Sequence, residues 1–216
     1  MTHMDIDHTS GIEEILRMND VHNRQEVPGE VKIKTLVLPK LLEIDEKYME
    51  IIKLAQNANT EICVMERGES FFVGEMQFYC MHPEKEAVYA DKNAASLVLY
   101  MQMEEFSALF MGDLDGVAER ELGNAYPKGL SDITLLKVGH HGAADSCQSE
   151  FLQKINPVYA AISCGKNNSY GHPAGETVER LEADGAKVFC TRESGQVTFE
   201  ENNGKTRVKQ CLRESP

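Results

Sequence analysis

The stretch ITLLKVGHHG (Ile133–Gly142) joins an apolar run to a pair of histidines flanked by glycines. The run from Ile133 to Val138 is typical of a short buried strand. Histidines that directly follow such a strand are poorly placed for packing in a core. Open α/β sheets bind their ligands at the carboxyl ends of strands. The stretch therefore predicts an α/β fold with His140 and His141 at a functional site.

Patterns on either side of this stretch alternate between strand and helix. Strands are predicted near 31–38, 61–66, 71–81, 96–103, 106–111, 158–163 and 187–191. Helices are predicted near 43–57, 115–124, 149–155 and 176–184. A further helix to about Asp20 is expected to start at Ser10, because Ser10 and Glu13 match a capping box. Asn203-Gly204 predicts the turn of a closing hairpin over about 195–211, and we expect one domain over residues 1–216.

The N-terminal stretch THMDIDH (Thr2–His8) carries four candidate metal ligands, His3, Asp5, Asp7 and His8. Imidazole and carboxylate groups are ligands that zinc accepts. Side chains two residues apart in an extended segment point the same way, so His3, Asp5 and Asp7 could share one side while a turn brings His8 to them. The alternative is a polar tail with a chance cluster. These residues alone leave both interpretations open.

Composition limits the functions that the chain can perform. The 22 basic residues against 35 acidic ones give a net charge of −13, which argues against nucleic-acid binding through a broad basic face. The six cysteines form no C-x-x-C pair, which favours buried thiols over a disulfide framework or a zinc knuckle. No apolar run approaches the roughly 20 residues that span a bilayer, and no signal-peptide pattern begins the chain. We expect a soluble chain, cytoplasmic by default.

Five motifs, taken together and in this order, resemble the metallo-β-lactamase domain of ComEC-type DNA-uptake proteins. They are THMDIDH (2–8), NAASLVL (93–99), GDL (112–114), LKVGHHG (136–142) and NSYGHP (168–173). The similarity runs from Thr2 to about Phe199. It implies an αββα sandwich with a metal cleft along one edge of its two sheets. It also implies that the family's first strands, with an acidic motif, would precede Thr2, so the expected fold is this sandwich without those strands.

The resemblance also implies a set of metal ligands for two divalent ions. They are His3 and Asp5 on a first ion, Asp7 and His8 on a second, Asp113 bridging both, and His140 on the second. Adjacent residues cannot be separated by spacing, so His141 is the alternative ligand and is otherwise a proton donor or phosphate contact. Zinc is the expected metal, with Mn²⁺ or Mg²⁺ as alternatives. Asp7, His141 and His172 are the expected catalytic residues.

Other residues are expected to support the site or to contact the substrate. Asn93 lies where the superfamily usually has a third histidine, and an amide is a weak zinc ligand, so the first site is expected to bind zinc weakly or to prefer Mn²⁺ or Mg²⁺. His172 is a candidate for leaving-group protonation. The candidate supporting or phosphate-contacting groups are Ser96, Lys137, Tyr170 and Lys166. The two histidines that match no motif, and are expected to be structural, are His22 and His82.

The implied reaction is metal-assisted hydrolysis of a phosphodiester, with DNA as the substrate during competence-linked uptake. Two divalent cations would reverse the local sign of an acidic chain and so admit a polyanion. The alternatives are a hydrolase of small esters, thioesters or lactones, and a catalytically inactive remnant. The family's domain is usually attached to a multi-span membrane protein, so the resemblance also implies a membrane channel as partner and a membrane-associated location for such a fragment.

Overall fold

The computed structural model describes residues 1–21, 31–126 and 130–212. The strands within these residues are β1 (Thr35–Pro39), β2 (Glu61–Met65), β3 (Ser70–Val73), β4 (Met76–His82), β5 (Val98–Met103), β6 (Phe106–Phe110), β7 (Leu135–Lys137), β8 (Tyr159–Ile162), β9 (Lys187–Cys190), β10 (Val197–Asn202) and β11 (Lys205–Gln210). The helices are α1 (Ile6–Met18), α2 (Glu46–Asn57), α3 (Gly116–Ala125), α4 (Ser149–Ile155), α5 (Gly175–Ala183) and α6 (Thr191–Ser194), with a 3₁₀ turn at Gly139–Gly142.

The elements form helix, sheet, sheet and helix layers. Strands β3 to β9 make a seven-stranded sheet in sequence order, antiparallel from β3 to β6 and parallel from β6 to β9. Helices α3, α4 and α5 cover one face of this sheet. The parallel pair β1-β2 and the hairpin β10-β11 lie on its other face. Helices α1 and α2 pack on the outside of β1. The predicted αββα arrangement is confirmed.

Strand alternation sorts the apolar side chains between the two faces of the large sheet. Leu109 on β6, Leu136 on β7 and Ala160 on β8 all point toward the helices and are fully buried. Phe151 and Ile155 of α4, one helical turn apart, fill the same core. The carboxyl ends of the parallel strands therefore have a rigid support.

The N-terminal helices are held by a second core. Leu36 and Leu38 of β1 contact Leu16 of α1 and Ile51 of α2. The buried Tyr48 hydroxyl donates a hydrogen bond of 2.8 Å to a backbone carbonyl at the end of β1. This core fixes the start of the chain against the body of the fold.

Several sequence-based boundaries were wrong, and strand β1 begins at Thr35 rather than at Val31. Helix α1 begins at Ile6 rather than at Ser10, because the backbone of Asp5 is extended and its carbonyl accepts hydrogen bonds of 3.0 Å from both His8 and Thr9. Residues 71–81, predicted as one strand, are the two strands β3 and β4. Gly74 lies in the turn between them with φ +60°, a conformation that glycine adopts at little cost.

Glu119 on α3 is a fully buried carboxyl group. It accepts hydrogen bonds from the amides of Cys147, at 3.0 Å, and Gln148, at 3.2 Å, and so ties α3 to the start of α4. Burial raises the pKa of Glu119 from 4.5 to about 7 despite these bonds. The folded protein therefore holds a proton over a pH range in which the unfolded chain releases it.

We expect this proton to make stability fall as pH rises. The contribution of protonated Glu119 to the free energy of unfolding is complete below about pH 4.5 and is lost as pH rises through about 7. Between pH 5 and 8, the free energy of unfolding of the wild type should fall by about 3 kcal/mol relative to that of Glu119→Gln. Urea unfolding across this range measures it, with the exposed Glu150→Gln as the control for loss of a charge. Parallel curves for the wild type and Glu119→Gln would contradict the expectation.

Candidate metal centre

The site lies at the carboxyl ends of β6 and β7, where the N-terminal segment crosses them. The N-terminal amine of Met1 donates to the carbonyl of Val37 at 3.0 Å, and the carbonyl of Thr2 accepts from the amide of Leu97 at 2.9 Å. His3 is 2% exposed. The segment is thus built into the fold, and the alternative of a polar tail is wrong.

Four side chains from three parts of the chain converge here. They are Asp7 and His8 in the first turn of α1, Asp113 after β6 and His141 after β7, and one ligand atom from each lies within 4.8 Å of the others. Nε2 of His8 is 3.1 Å from Oδ1 of Asp113 and 3.3 Å from Nε2 of His141. Nε2 of His141 is 3.0 Å from Oδ2 of Asp7 and 3.4 Å from Oδ2 of Asp113. Imidazole nitrogens and carboxylate oxygens at these distances fit a divalent cation.

A second group of donors adjoins this cluster. Nε2 of His3 is 3.7 Å from Oδ2 of Asp5 and 4.0 Å from Oδ2 of Asp113. It is buried and has no hydrogen-bond partner among the described residues. A buried polar atom without a partner costs free energy unless a ligand occupies the space that it faces. The three side chains therefore fit a second cation, with Asp113 common to both groups.

The imidazoles are oriented by hydrogen bonds to their other nitrogens. Nδ1 of His141 lies 2.7 Å from the carbonyl of Ser163, which can only accept, so Nδ1 carries the proton and Nε2 presents a lone pair in the neutral ring. Oγ1 of Thr2 lies 2.9 Å from Nδ1 of His8 and 3.1 Å from Nδ1 of His3. One hydroxyl thus holds two imidazoles with both Nε2 atoms facing Asp113. Such partners fix the tautomer and orientation of a metal ligand.

Replacing Thr2 tests this arrangement. Thr2→Val keeps the shape of the side chain but removes the acceptor for two ring N–H groups, so we expect zinc affinity to fall by roughly 10- to 100-fold. Thr2→Ser retains the hydroxyl and should bind zinc as the wild type does. Competition with a chromophoric chelator measures both affinities. A Thr2→Val protein with wild-type affinity would contradict the role.

Close packing of three segments positions Asp113. Gly112 has φ +58°, and a Cβ atom there would lie 2.9 Å from Cβ of Ser96 and 3.0 Å from Cβ of Thr2. Only glycine permits both this conformation and this approach. The buried Ser96 hydroxyl accepts a hydrogen bond of 3.1 Å from the amide of Asp113 and lies 3.4 Å from Nδ1 of His3. Ser96 therefore supports both donor groups.

The adjacent histidines after β7 point to different places. His140 and His141 both have left-handed backbones, with φ of 44° and 54°, so their side chains diverge. His141 joins the cluster, whereas the ring of His140 lies 5.6 Å from that of His172. The structure thus places His141 among the ligand atoms at the position that the resemblance gave first to His140. Left-handed residues other than glycine are uncommon, and they concentrate at functional sites.

His172 lies at the mouth of the cluster. Its ring centroid is 6.4 Å from that of His141, and Tyr170, which is 82% exposed, stacks on it at 5.8 Å. Asn168 fixes the loop, because its Oδ1 accepts from the amide of His172 at 2.9 Å and its Nδ2 donates to the carbonyl of His172 at 2.7 Å. The loop therefore presents an imidazole and a phenol beside the ligands.

The remaining predicted site residues lie around this centre or away from it. Oδ1 of Asn93 is buried and has no partner within the described residues. The ammonium group of Lys137 donates to the carbonyl of Val138 at 2.9 Å, which holds it beneath the cluster, whereas Lys166 is exposed. His82 is buried with Nδ1 2.8 Å from the carbonyl of Ser96, as a structural residue would be. His22 lies outside the described residues.

Charge in the cluster is balanced by contact between acid and base. Burial alone would raise the pKa of Asp113, but its close contacts with His141 and His8 hold the pKa far below its ordinary value. The bond to Asp113 raises the pKa of His141. Burial, and then the neighbouring His8, lower the pKa of His3. The site thus contains an ionised carboxylate and a buried imidazole that stays neutral at pH 7, which are the forms that bind metal.

Sequence reasoning gave no role to three groups that orient these residues. They are the hydroxyl of Thr2, the carbonyl of Ser163 and the side chain of Asn168. Thr2 and Asn168 lie inside recognised motifs, and that position was the available signal. The carbonyl of Ser163 had none, because any residue supplies a carbonyl.

Comparison with known proteins relates the chain to competence proteins. ComE operon protein 3 of Bacillus subtilis is 32% identical over 203 residues, which are 94% of this chain and 24% of that protein. Competence protein ComA of Neisseria gonorrhoeae is 36% identical over 109 residues, 50% of this chain and 16% of that protein. Recombination protein 2 of Haemophilus influenzae is 32% identical over 122 residues, which are 56% of this chain and 15% of that protein. The chain thus spans about a quarter or less of these relatives. No family model matches it.

Solved structures show the fold. YhfI of Bacillus subtilis, a metallo-β-lactamase fold protein, aligns with a TM-score of 0.51 at 9% identity over 88% of this chain and 72% of that one. CmlA of Streptomyces venezuelae, a diiron β-hydroxylase, aligns with a TM-score of 0.54 at 13% identity. The alignment covers 87% of this chain and 42% of that one. These matches and the competence relatives confirm the resemblance drawn from the five motifs. The chain therefore has the metallo-β-lactamase fold and is a relative of the ComEC-type competence proteins.

Proposed function

We propose that the chain is a metal-dependent phosphodiesterase that cleaves DNA. The observation that carries this proposal is the convergence of Asp7, His8, Asp113 and His141, with one ligand atom from each within 4.8 Å of the others. Relatives named for competence and recombination indicate a role with DNA. A phosphodiester is the bond that such a role would hydrolyse.

The donor chemistry fits two divalent ions. Nε2 atoms of His8 and His141 lie 3.3 Å apart, and two lone pairs at that distance are stabilised when a cation lies between them. Asp7 and Asp113 complete the group around His8 and His141, and His3, Asp5 and Asp113 form the adjoining group. All donors are imidazole nitrogens or carboxylate oxygens, which suit zinc, with Mn²⁺ as the alternative. When bound, the ions would polarise the phosphoryl oxygens and lower the pKa of water to supply the nucleophile.

The chain's own residues orient the reaction. Asp113 joins the two donor groups, since its Oδ2 lies 3.4 Å from Nε2 of His141 in one group and 4.0 Å from Nε2 of His3 in the other. His172 stands beside them on a loop fixed by Asn168. Burial, with His140 and His141 nearby, lowers the pKa of His172, so at pH 7 it is a neutral imidazole. We propose that its N–H group donates a hydrogen bond to the oxygen that leaves.

The proposal also covers the partner of the chain and its relation to the membrane. From the resemblance to ComEC-type proteins, we also propose that the chain acts on DNA delivered by the membrane channel of an uptake system. None of the helices in residues 1–21, 31–126 and 130–212 is long and apolar enough to cross a bilayer.

A substrate panel tests the proposed function. The protein is loaded with zinc or Mn²⁺ and incubated with single-stranded DNA, plasmid DNA and bis(p-nitrophenyl) phosphate, alongside an ester, a thioester and a lactone. We expect cleavage of the phosphodiesters that EDTA stops. Turnover confined to the small carboxylic esters would overturn the proposal in favour of a small-molecule hydrolase. No turnover and no metal uptake would indicate an inactive remnant.

A further inference from the structure

A cavity of about 340 Å³ adjoins the second donor group, and the reaction proposed above leaves it without a role. His3 lines its inner end, and its walls come from the segment before α2 and from the loop between β4 and β5. Its volume lies within the range of pockets that bind small organic groups. Because His3 also belongs to the donor group, a ligand in the cavity would lie directly beside the metal centre.

The walls of this cavity carry large apolar side chains that face solvent. Leu42 is 58% exposed, Ile44 is 50% exposed and Val88 is 65% exposed. They come from two loops that are far apart in sequence and yet line one cavity. Apolar groups that cluster and stay exposed beside a site are typical of a surface that a ligand covers.

The charges at the rim disfavour a phosphate in the cavity itself, because three carboxylates outnumber the one ammonium group that lines it, that of Lys92. Three exposed carboxylates line it, those of Glu43, Asp45 and Asp91. Lys92 stands between the cavity and the metal centre, with Nζ 3.2 Å from Oδ2 of Asp45 and 3.9 Å from Oδ1 of Asp5. A ligand would therefore place its anionic part at the metals and an uncharged part in the cavity. Asp45 already accepts from the amide of Tyr48 and pairs with Lys92, so the carboxylate of Glu43 is the rim acceptor for an amino group of that part.

We infer that this cavity binds one nucleobase of the substrate while the adjoining phosphate lies at the metal centre. The inference rests on the proposed phosphodiesterase function and names the part of the substrate that the protein recognises. A base has a flat apolar body for the walls formed by Leu42, Ile44 and Val88. Adenine, cytosine and guanine also carry an amino group for the acidic rim.

Binding to the zinc-loaded protein tests the inference without measuring activity. Titration calorimetry compares dAMP, 2-deoxyribose 5-phosphate, phenyl phosphate and inorganic phosphate. We expect dAMP to bind roughly 10- to 100-fold more tightly than 2-deoxyribose 5-phosphate, because the faces of the base leave water for the apolar walls of the cavity. Phenyl phosphate should fall between the two, because it has the flat body without the amino group.

Variants locate the base. The double variant Leu42→Asn/Val88→Asn should lose the advantage of dAMP and keep the affinity for inorganic phosphate. Its matched control is Val117→Asn/Val158→Asn, at sites that are 61% and 47% exposed and outside the cavity, and this control should behave as the wild type.

Two results would separate the inference from the function beneath it. Equal binding of dAMP and 2-deoxyribose 5-phosphate, or of dAMP and phenyl phosphate, would overturn base recognition and leave a phosphodiesterase in place. If Leu42→Asn/Val88→Asn still binds dAMP more tightly than 2-deoxyribose 5-phosphate by the wild-type factor, the base does not bind in this cavity. If none of the four phosphates binds, the proposed function fails together with the inference.

Discussion

Asp113→Asn is expected to lower the rate of phosphodiester hydrolysis by roughly 10³-fold or more. Asp113 is 4% exposed, and its carboxylate faces three imidazoles, at 3.1 Å from His8, 3.4 Å from His141 and 4.0 Å from His3. Asparagine has nearly the same shape but only one oxygen and no charge. Loss of bound metal removes several kcal/mol of transition-state stabilisation, and each 1.36 kcal/mol is about tenfold in rate.

The measurement is kcat/KM for bis(p-nitrophenyl) phosphate, with circular dichroism to show that the variant folds. Asp132→Asn is the matched control, because Asp132 is an exposed carboxylate just before β7, at the end of that strand opposite to the site. It has φ 56°, which asparagine tolerates. Activity in Asp113→Asn within tenfold of the wild type would mean that the cluster is not the catalytic centre.

The second large effect separates the two adjacent histidines. His141→Asn should lower zinc affinity and kcat/KM by roughly 10²-fold or more, because Nε2 of His141 faces Asp7 and Asp113. His140→Asn should change zinc affinity only a few-fold, since its ring lies toward His172 instead. Both positions have positive φ, which asparagine tolerates, so the two variants carry similar backbone strain. Chelator competition and steady-state kinetics measure both effects. A larger loss of zinc affinity in His140→Asn would assign the ligand to His140.

Apolar patterning predicted the α/β fold well because burial imposes it directly. Leu136 and Ala160 lie in apolar runs that are short enough to be strands, and they form the core with the helices that follow them. The hairpin at residues 71–81 was missed because both of its strands are apolar and the turn at Gly74 is a single local signal. The short helix α6 has too few residues to show a helical period.

The sequence predicted which residues form the candidate site but not which way their side chains point. The motifs named the residues, yet spacing gave His140 and His141 equal standing, and left-handed backbone at both positions decides which ring enters the cluster. Asp7 was expected on an extended segment with His3, whereas α1 begins at Ile6 and brings Asp7 in from a helical turn. The cavity beside His3 had no motif, because two loops form it only after folding.

Under the proposed function, the acidic composition would make bound metals necessary for binding DNA. With a net charge of −13 and three carboxylates at the centre, the metal-free chain should repel a polyanion. Bound divalent ions would invert the local charge at Asp5, Asp7 and Asp113 and leave the rest of the surface acidic. DNA would then be held at the centre rather than along the surface.

The stoichiometry of bound metal tests the central claim most directly. The protein is stripped with a chelator, incubated with excess zinc, separated from free ions by gel filtration and analysed for zinc per chain. The two donor groups that share Asp113 predict two zinc ions per folded chain. A folded protein that emerges without bound zinc, and equally without Mn²⁺ when that ion is used, would contradict the claim that these side chains form a metal centre.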